Sequence, residues 1–151
     1  MHRILFVCHG NICRSTMAEF VMRHLADQAG RSDEFEIDSA ATSREELGND
    51  VHPGTRAKLE RMGVPCGHHR ARQVTRADVD AWDLIVCMDQ ENLWGLGRIL
   101  GREVVDSDQV RLLLDWSDAP RDIADPWYTG NFDQTYDDVL EGCETLLAAL
   151  D

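Results

Sequence analysis

Eight consecutive residues near the start of the chain, Cys8-His9-Gly10-Asn11-Ile12-Cys13-Arg14-Ser15, put an arginine six positions after a cysteine. They follow an apolar run, Ile4 to Val7, and precede a stretch of helical period. A loop leaving a strand and entering a helix turns successive backbone N–H groups inward, and with the helix N-terminus behind it the loop makes an anion site. Phosphate fits such a cradle. A cysteine at its start feels the same positive field, which favours thiolate over thiol. Arg14 supplies a planar fork able to hold two phosphate oxygens, a geometry lysine does not reproduce. Gly10 is expected where the loop backbone turns too sharply for a β-carbon.

In that arrangement Cys8 attacks phosphorus in line, and the loop N–H groups with Arg14 stabilise charge on the three equatorial oxygens. The leaving oxygen then needs a proton from the far side. Asp125, in Asp125-Pro126-Trp127-Tyr128, is the candidate acid, although an aspartate before proline also suits a turn.

The elements that must position these residues read as alternating apolar runs and helical stretches, the pattern of βαβ units around a parallel sheet. Ile4 to Val7 is the first strand. Met17, Ala18, Val21, Met22 and Leu25 fall at helical spacing, so a helix is expected over 15–29, with Gly30 as its left-handed cap. Phe35 to Ser39 alternates like a strand, and 40–50 reads as a surface loop. Pro53 opens a second helix that Gly63 closes. Thr75 with Asp78 resembles the cap of a brief third helix. Leu84 to Met88 is apolar throughout, as in a central strand buried on both faces and lying near the first. A helix is expected over 89–101, a last strand over Val110 to Leu114 with Val104-Val105 as competitor, and a final helix over 132–150. Trp82, Trp94 and Trp116 read as core or groove fillers, and the acidic final helix as a solvated face. His52 reads as a helix-entry residue, and His68 and His69 as a solvated basic edge.

At 151 residues the chain fits one domain, 1–151, that buries about two-thirds of the surface its unfolded form exposes. Apolar residues make up 43% and charged residues 28%, and no apolar run approaches the ~18 residues of a membrane span. The net charge of −13 argues against nucleic acid or anionic membrane as a general partner. Five cysteines without a short-spaced framework fit a reducing compartment rather than a disulfide scaffold. The first apolar stretch is too short for an export signal, so a cytoplasmic location is expected.

Taken together, Val7 to Ser15 and Asp125-Pro126-Trp127 resemble the signatures of the low-molecular-weight protein tyrosine phosphatases. Ser39-Ala40-Ala41-Thr42-Ser43, His52-Pro53, Ala71-Arg72-Gln73 and Met88-Asp89 with Asn92 match the family pattern in the same order. The resemblance spans almost the whole chain. It implies an α/β three-layer fold, a four-stranded parallel sheet with helices on both faces, and hydrolysis of phosphotyrosine and aryl phosphate monoesters in two steps without cofactor or metal. Cys8 would carry the phosphoryl group and Arg14 would bind it along the loop His9, Gly10, Asn11, Ile12, Cys13 and Ser15. Asp125 would serve as general acid and then general base. Ser15 would hydrogen-bond the thiolate, Asn11 would brace the loop, and Cys13 would trap an oxidised Cys8 as a disulfide.

The rim departs from the family pattern. The tip of the 40–50 loop carries Glu45 or Glu46 in place of an aromatic residue, which disfavours acidic phosphopeptides. Trp127 replaces a frequent tyrosine and keeps the stacking face. Ile12, Glu45, Trp127 and Tyr128 are the expected rim, and Tyr128 is itself a phosphorylation target by resemblance. The expected partner is a phosphotyrosine protein, with inorganic phosphate as product, acted on by a monomer or weak dimer. Arsenate reductases share the fold, but Cys66, Cys87 and Cys143 stand too far apart in sequence for their relay. Arginine phosphatases of this architecture carry a threonine where Ile12 stands. A phosphotyrosine-binding module without catalysis and a zinc site built on Cys8, Cys13, His9, His68 and His69 are the readings from other classes; the latter lacks metal-ligand spacing.

Overall fold

The computed structural model describes all of residues 1–151. In chain order the elements are β1 (His2–Cys8), α1 (Arg14–Gln28), β2 (Phe35–Ala41), α2 (Pro53–Arg61), α3 (Asp78–Ala81), β3 (Leu84–Cys87), α4 (Gln90–Leu100), α5 (Arg102–Val105), β4 (Val110–Leu112), α6 (Pro126–Thr129) and α7 (Phe132–Ala149). Short 3-10 turns occupy Ser32–Glu34 and Leu113–Trp116.

The strands form one parallel sheet in the order β2-β1-β3-β4, with β1 paired to both β2 and β3. Alternation along β1 explains why both faces are covered. Ile4, Phe6 and Cys8 point into the larger core with α1, α2 and α7, while Leu5 and Val7 point into a second core with α4 and β4. Gly142 lets α7 approach the 113–116 turn, because a β-carbon there would collide with Leu113. Chain order reverses about β1, so the crevice beyond the carboxyl ends of β1 and β3 is where a ligand site is expected in an open α/β sheet.

Most sequence-based boundaries hold to within one or two residues. Gly30 and Gly63 both take positive φ after their helices, as expected of left-handed caps. Three details differ. β2 runs on to Ala41, because its last residues pair with Val7 and Cys8. The last strand stops at Leu112, where the chain tightens into a 3-10 turn, and Val104-Val105 lies in α5. α3 begins at Asp78 with no side-chain cap; instead the Asp78 carboxylate reaches back to accept the Thr75 N–H at 2.8 Å. No helix is long and apolar enough to cross a membrane.

Candidate active site

The loop between β1 and α1 is held so that its carbonyls face protein and its N–H groups face inward. The carbonyls of Cys8 and His9 accept from the backbone N–H groups of Thr42 and Ser43, that of Ile12 from His52, and that of Cys13 from Met17. The N–H groups from His9 to Arg14 find no acceptor within the protein. A row of unpaired donors at the start of a fifteen-residue helix has the arrangement an anion cradle requires.

Asn11 is the keystone of this loop. It is fully buried and has φ of 60°, the left-handed region that asparagine tolerates better than most residues. Gly10 does not have positive φ, so its missing β-carbon matters for space rather than for backbone conformation. Asn11 takes the unusual backbone, and Gly10 makes room: a β-carbon there would stand 3.3 Å from Cγ of Glu46 on the rim.

The polarity of the bracing follows from one backbone group. The Arg72 N–H can only donate, and it donates to Asn11 Oδ1 at 3.2 Å. The Asn11 amide therefore turns Nδ2 toward the hydroxyls of Ser15 and Ser39, each at 2.9 Å. Ser39 donates to Glu19 at 2.5 Å, and Ser15 Oγ, 3.1 Å from Cys8 Sγ, accepts from the thiol. When Cys8 loses its proton, the same 3.1 Å contact lets the Ser15 hydroxyl turn and donate to the thiolate. Behind Ser39, burial raises the Glu19 carboxyl above its ordinary range, although the Ser39 hydroxyl and Arg23 pull it back.

Arg14 is 2% exposed and enters the site from the first turn of α1. Its Nη1 donates to Asp89 at 2.5 Å and to the Ile123 carbonyl at 2.9 Å. Asp89 is fixed in turn as the N-cap of α4, where it accepts the Asn92 N–H at 2.8 Å. Burial works against the guanidinium charge, but the Cys8 sulfur, Asp89 and Asp125 outweigh it and hold Arg14 above its ordinary value. One edge of the fork is thus anchored. On the other edge Nη2 lies 3.4 Å from Asp125, and Nε is buried with no partner in the protein.

Asp125 caps α6 by accepting the Trp127 N–H at 3.0 Å through Oδ1, while Oδ2 faces Arg14. The turn reading of this aspartate is therefore realised through Oδ1, while Oδ2 is left beside Arg14 in the pocket lining. Cys8, Cys13, Ile12 and Asp125 line a pocket of about 90 Å³ whose mouth is bounded by His9, Gly10, Glu45, Glu46, Trp127 and Tyr128. His9 and Glu45 meet across one side of the mouth at 2.8 Å. Trp127 stands edge-on to His52, whose Nδ1 accepts the Gly54 N–H at the entry of α2.

Three residues carry more than the sequence reading gave them. Asp89, matched only as part of a pattern, orients Arg14; the Asp-x-x-Asn capping spacing was its visible signal. His69 is no solvated edge, since its Nε2 lies 2.7 Å from the Asn11 carbonyl, whereas His68 is fully exposed. Trp94 is no core residue, being 65% exposed on α4. On the acidic final helix, Asp138 is buried and, with Glu141, pairs with Arg121, so that face is only partly solvated.

Fold and loop together define an α/β protein with an arginine-lined anion cradle between its first strand and first helix. The family model for low molecular weight phosphotyrosine protein phosphatases matches residues 3–151. The chain is 40% identical over 152 residues to the low molecular weight protein-tyrosine-phosphatase YfkJ of Bacillus subtilis, covering 99% of this chain and 96% of that one. It is 36% identical to the human low molecular weight phosphotyrosine protein phosphatase, covering 95% and 92%. The crystal structure of YfkJ superposes with a TM-score of 0.93 over 99% of this chain and 94% of that one. That of a Drosophila arginine phosphatase does so with 0.84 at 28% identity, over 97% and 96%. The chain belongs to the low molecular weight phosphotyrosine protein phosphatase family.

Proposed function

We propose that this protein hydrolyses phosphotyrosine in proteins, and aryl phosphates generally, through a cysteinyl-phosphate on Cys8. The observation that carries the reading is a pair of unmet donors in one place: the loop N–H groups from His9 to Arg14, and the buried Arg14 Nε. A trigonal phosphoryl group supplies acceptors for both. Nε and Nη2 lie on one edge of the guanidinium and present parallel donors to two equatorial oxygens.

In the first step the Cys8 thiolate attacks phosphorus, the bond to the phenolic oxygen breaks, and Asp125 gives that oxygen its proton. In the second step Asp125, now a carboxylate, takes a proton from water as the water attacks phosphorus. The sulfur–phosphorus bond breaks, Cys8 returns to thiolate steadied by Ser15, and inorganic phosphate leaves. Arg14 and the loop N–H groups hold the equatorial oxygens through both steps. Ile12, Trp127 and Tyr128 offer apolar walls for the phenyl ring, which favours phosphotyrosine over phosphoarginine.

Cys13 supports a redox role at the same loop. Burial, and then the negative charges of Cys8 and Asp125, push its thiol up to about 12, so it rests as a neutral thiol in the loop that Cys8 begins. If peroxide oxidises Cys8 to sulfenic acid, attack by Cys13 sulfur forms a disulfide, and the sulfenic hydroxyl leaves as water with the Cys13 proton. Peroxide inactivation should then be reversed by added thiol in the parent and be irreversible in Cys13→Ser.

The central reading is tested by assaying the parent and Cys8→Ser on an aryl phosphate and a phosphotyrosine peptide with chelator and reductant present. Turnover by the parent alone is expected. Comparable turnover by Cys8→Ser, or loss of parental activity on chelation, would overturn it.

A further inference from the structure

A second groove, of about 590 Å³, lies beside the catalytic pocket and shares His9 with it. One wall is Thr42, Ser43 and Gln73. The other is a stripe of α4 in which Glu91, Trp94, Gly95 and Arg98 succeed one another at three- and four-residue spacing. This stripe faces away from the buried side of α4, formed by Asn92, Leu96 and Leu100. Trp94 is 65% exposed, and the Arg98 guanidinium stands 5.0 Å from its ring centroid. Arg98 makes no ion pair or hydrogen bond, and neither does the Glu91 carboxylate. Gly95 brings α4 close to the opposite wall, since a β-carbon there would lie 3.1 Å from Thr42 Cβ.

We propose that this groove binds the segment of the substrate protein that flanks the phosphotyrosine, taking an apolar side chain over Trp94 and a carboxylate on Arg98. The proposal deepens the phosphotyrosine reading and rests on it. Continuity argues for this occupant, because His9 belongs to both cavities and a chain leaving the catalytic pocket past His9 enters the groove directly. Charge supplies the direction. The N-terminus of α4 sits at the site, where Asp89 holds Arg14, so Glu91 is the near charge and Arg98 the far one. Nine residues of helix separate Asp89 from Arg98, a rise of about 13 Å, which an extended peptide spans in about four residues. Next to the phosphotyrosine, Glu45 and Glu91 disfavour an acidic residue; about four residues away, Arg98 favours one.

The test uses phosphotyrosine peptides that place aspartate or lysine four residues from the phosphotyrosine, on either side, with leucine between, and an aryl phosphate as the substrate too short to reach the groove. On one side the parent should prefer aspartate by about fivefold in kcat/KM, expressed in KM. Arg98→Glu should reverse that preference. Trp94→Ala should lower kcat/KM for the leucine-bearing peptides by about fivefold and leave the aryl phosphate unchanged. Indifference of the parent to the charge on both sides, or a preference that survives Arg98→Glu, would overturn the groove assignment while leaving the phosphatase reading intact. Failure of the parent on the aryl phosphate would instead overturn the phosphatase reading. In that case the same peptides, titrated calorimetrically against the parent and the Arg98→Glu and Trp94→Ala variants, still decide the groove, and absence of peptide binding would overturn it.

Discussion

The phosphate loop and the rim around it are built on opposite plans. From Cys8 to Ser15 every residue except His9 and Gly10 is buried, and the loop is tied to β2, α1 and the 69–72 segment through Asn11. The rim is exposed: Glu45, Trp127 and Tyr128 project into solvent, and their side chains are tied only by a single ion pair and an edge contact. Buried hydrogen bonds in low dielectric hold donors in place before substrate arrives, whereas exposed charges are screened and cost little to change. On the proposed function, chemistry is thereby fixed in one region, and recognition is left adjustable in the other.

Arg14→Lys attacks the loop at its strongest point. Lysine cannot supply the Nε–Nη2 edge while keeping the contacts to Asp89 and Ile123, so kcat should fall by about 10²- to 10³-fold with the fold retained. Stopped-flow turnover of an aryl phosphate measures this. Asp125→Asn keeps an acceptor for the Trp127 N–H but removes the proton; turnover should fall by about 10²-fold for poor leaving groups and much less for good ones. Equal slowing across leaving groups would remove Asp125 from the acid role.

Asn11→Ala should cost both regions unequally. It leaves the Ser15 and Ser39 hydroxyls, the Arg72 N–H and the left-handed backbone without their partner, a loss of about 2 to 4 kcal/mol in urea unfolding. Activity should fall with it, while the leaving-group dependence that reports on Asp125 stays as in the parent. Glu19→Gln probes the far end of the same chain of hydrogen bonds. Because burial raises the Glu19 carboxyl in the folded protein above about 4.5, folding takes up a proton there. The parent should therefore gain stability over the glutamine variant as pH falls from neutrality toward 4.5, and lose that gain as pH rises. Glu45→Gln, on the rim, should have the smallest effect: a change in KM for charged peptides of about threefold or less, vanishing at high salt.

The loop was legible in the sequence because its function requires neighbours in the chain. Cysteine, arginine, strand and helix all lie within about fifteen residues, and backbone geometry does the rest. Asp125 was named from the need for a far-side acid and strengthened by the family pattern, since Asp-Pro alone equally suits a turn, and the structure shows it capping α6 with its second oxygen beside Arg14. What brings Asp89, His69, Glu19 and Ser39 to the loop is tertiary: they come from different elements, and no local spacing links them to Cys8. Gly10 and Asn11 show the limit of residue-type reasoning, for glycine was expected at the loop's sharpest turn, and it is asparagine that takes the left-handed backbone. Trp94 takes the groove rather than the core half of its sequence reading, because the apolar stripe of α4 runs through Leu96 and Leu100 instead.

The account stands on a covalent bond between phosphorus and Cys8, and rapid-quench mass spectrometry during turnover of an aryl phosphate observes it most directly. A phosphoryl group on the peptide containing Cys8, forming within the first turnover and lost in Cys8→Ser, is the predicted result. Steady turnover by the parent with no phosphoryl enzyme, or with the phosphoryl group on another residue, would contradict it.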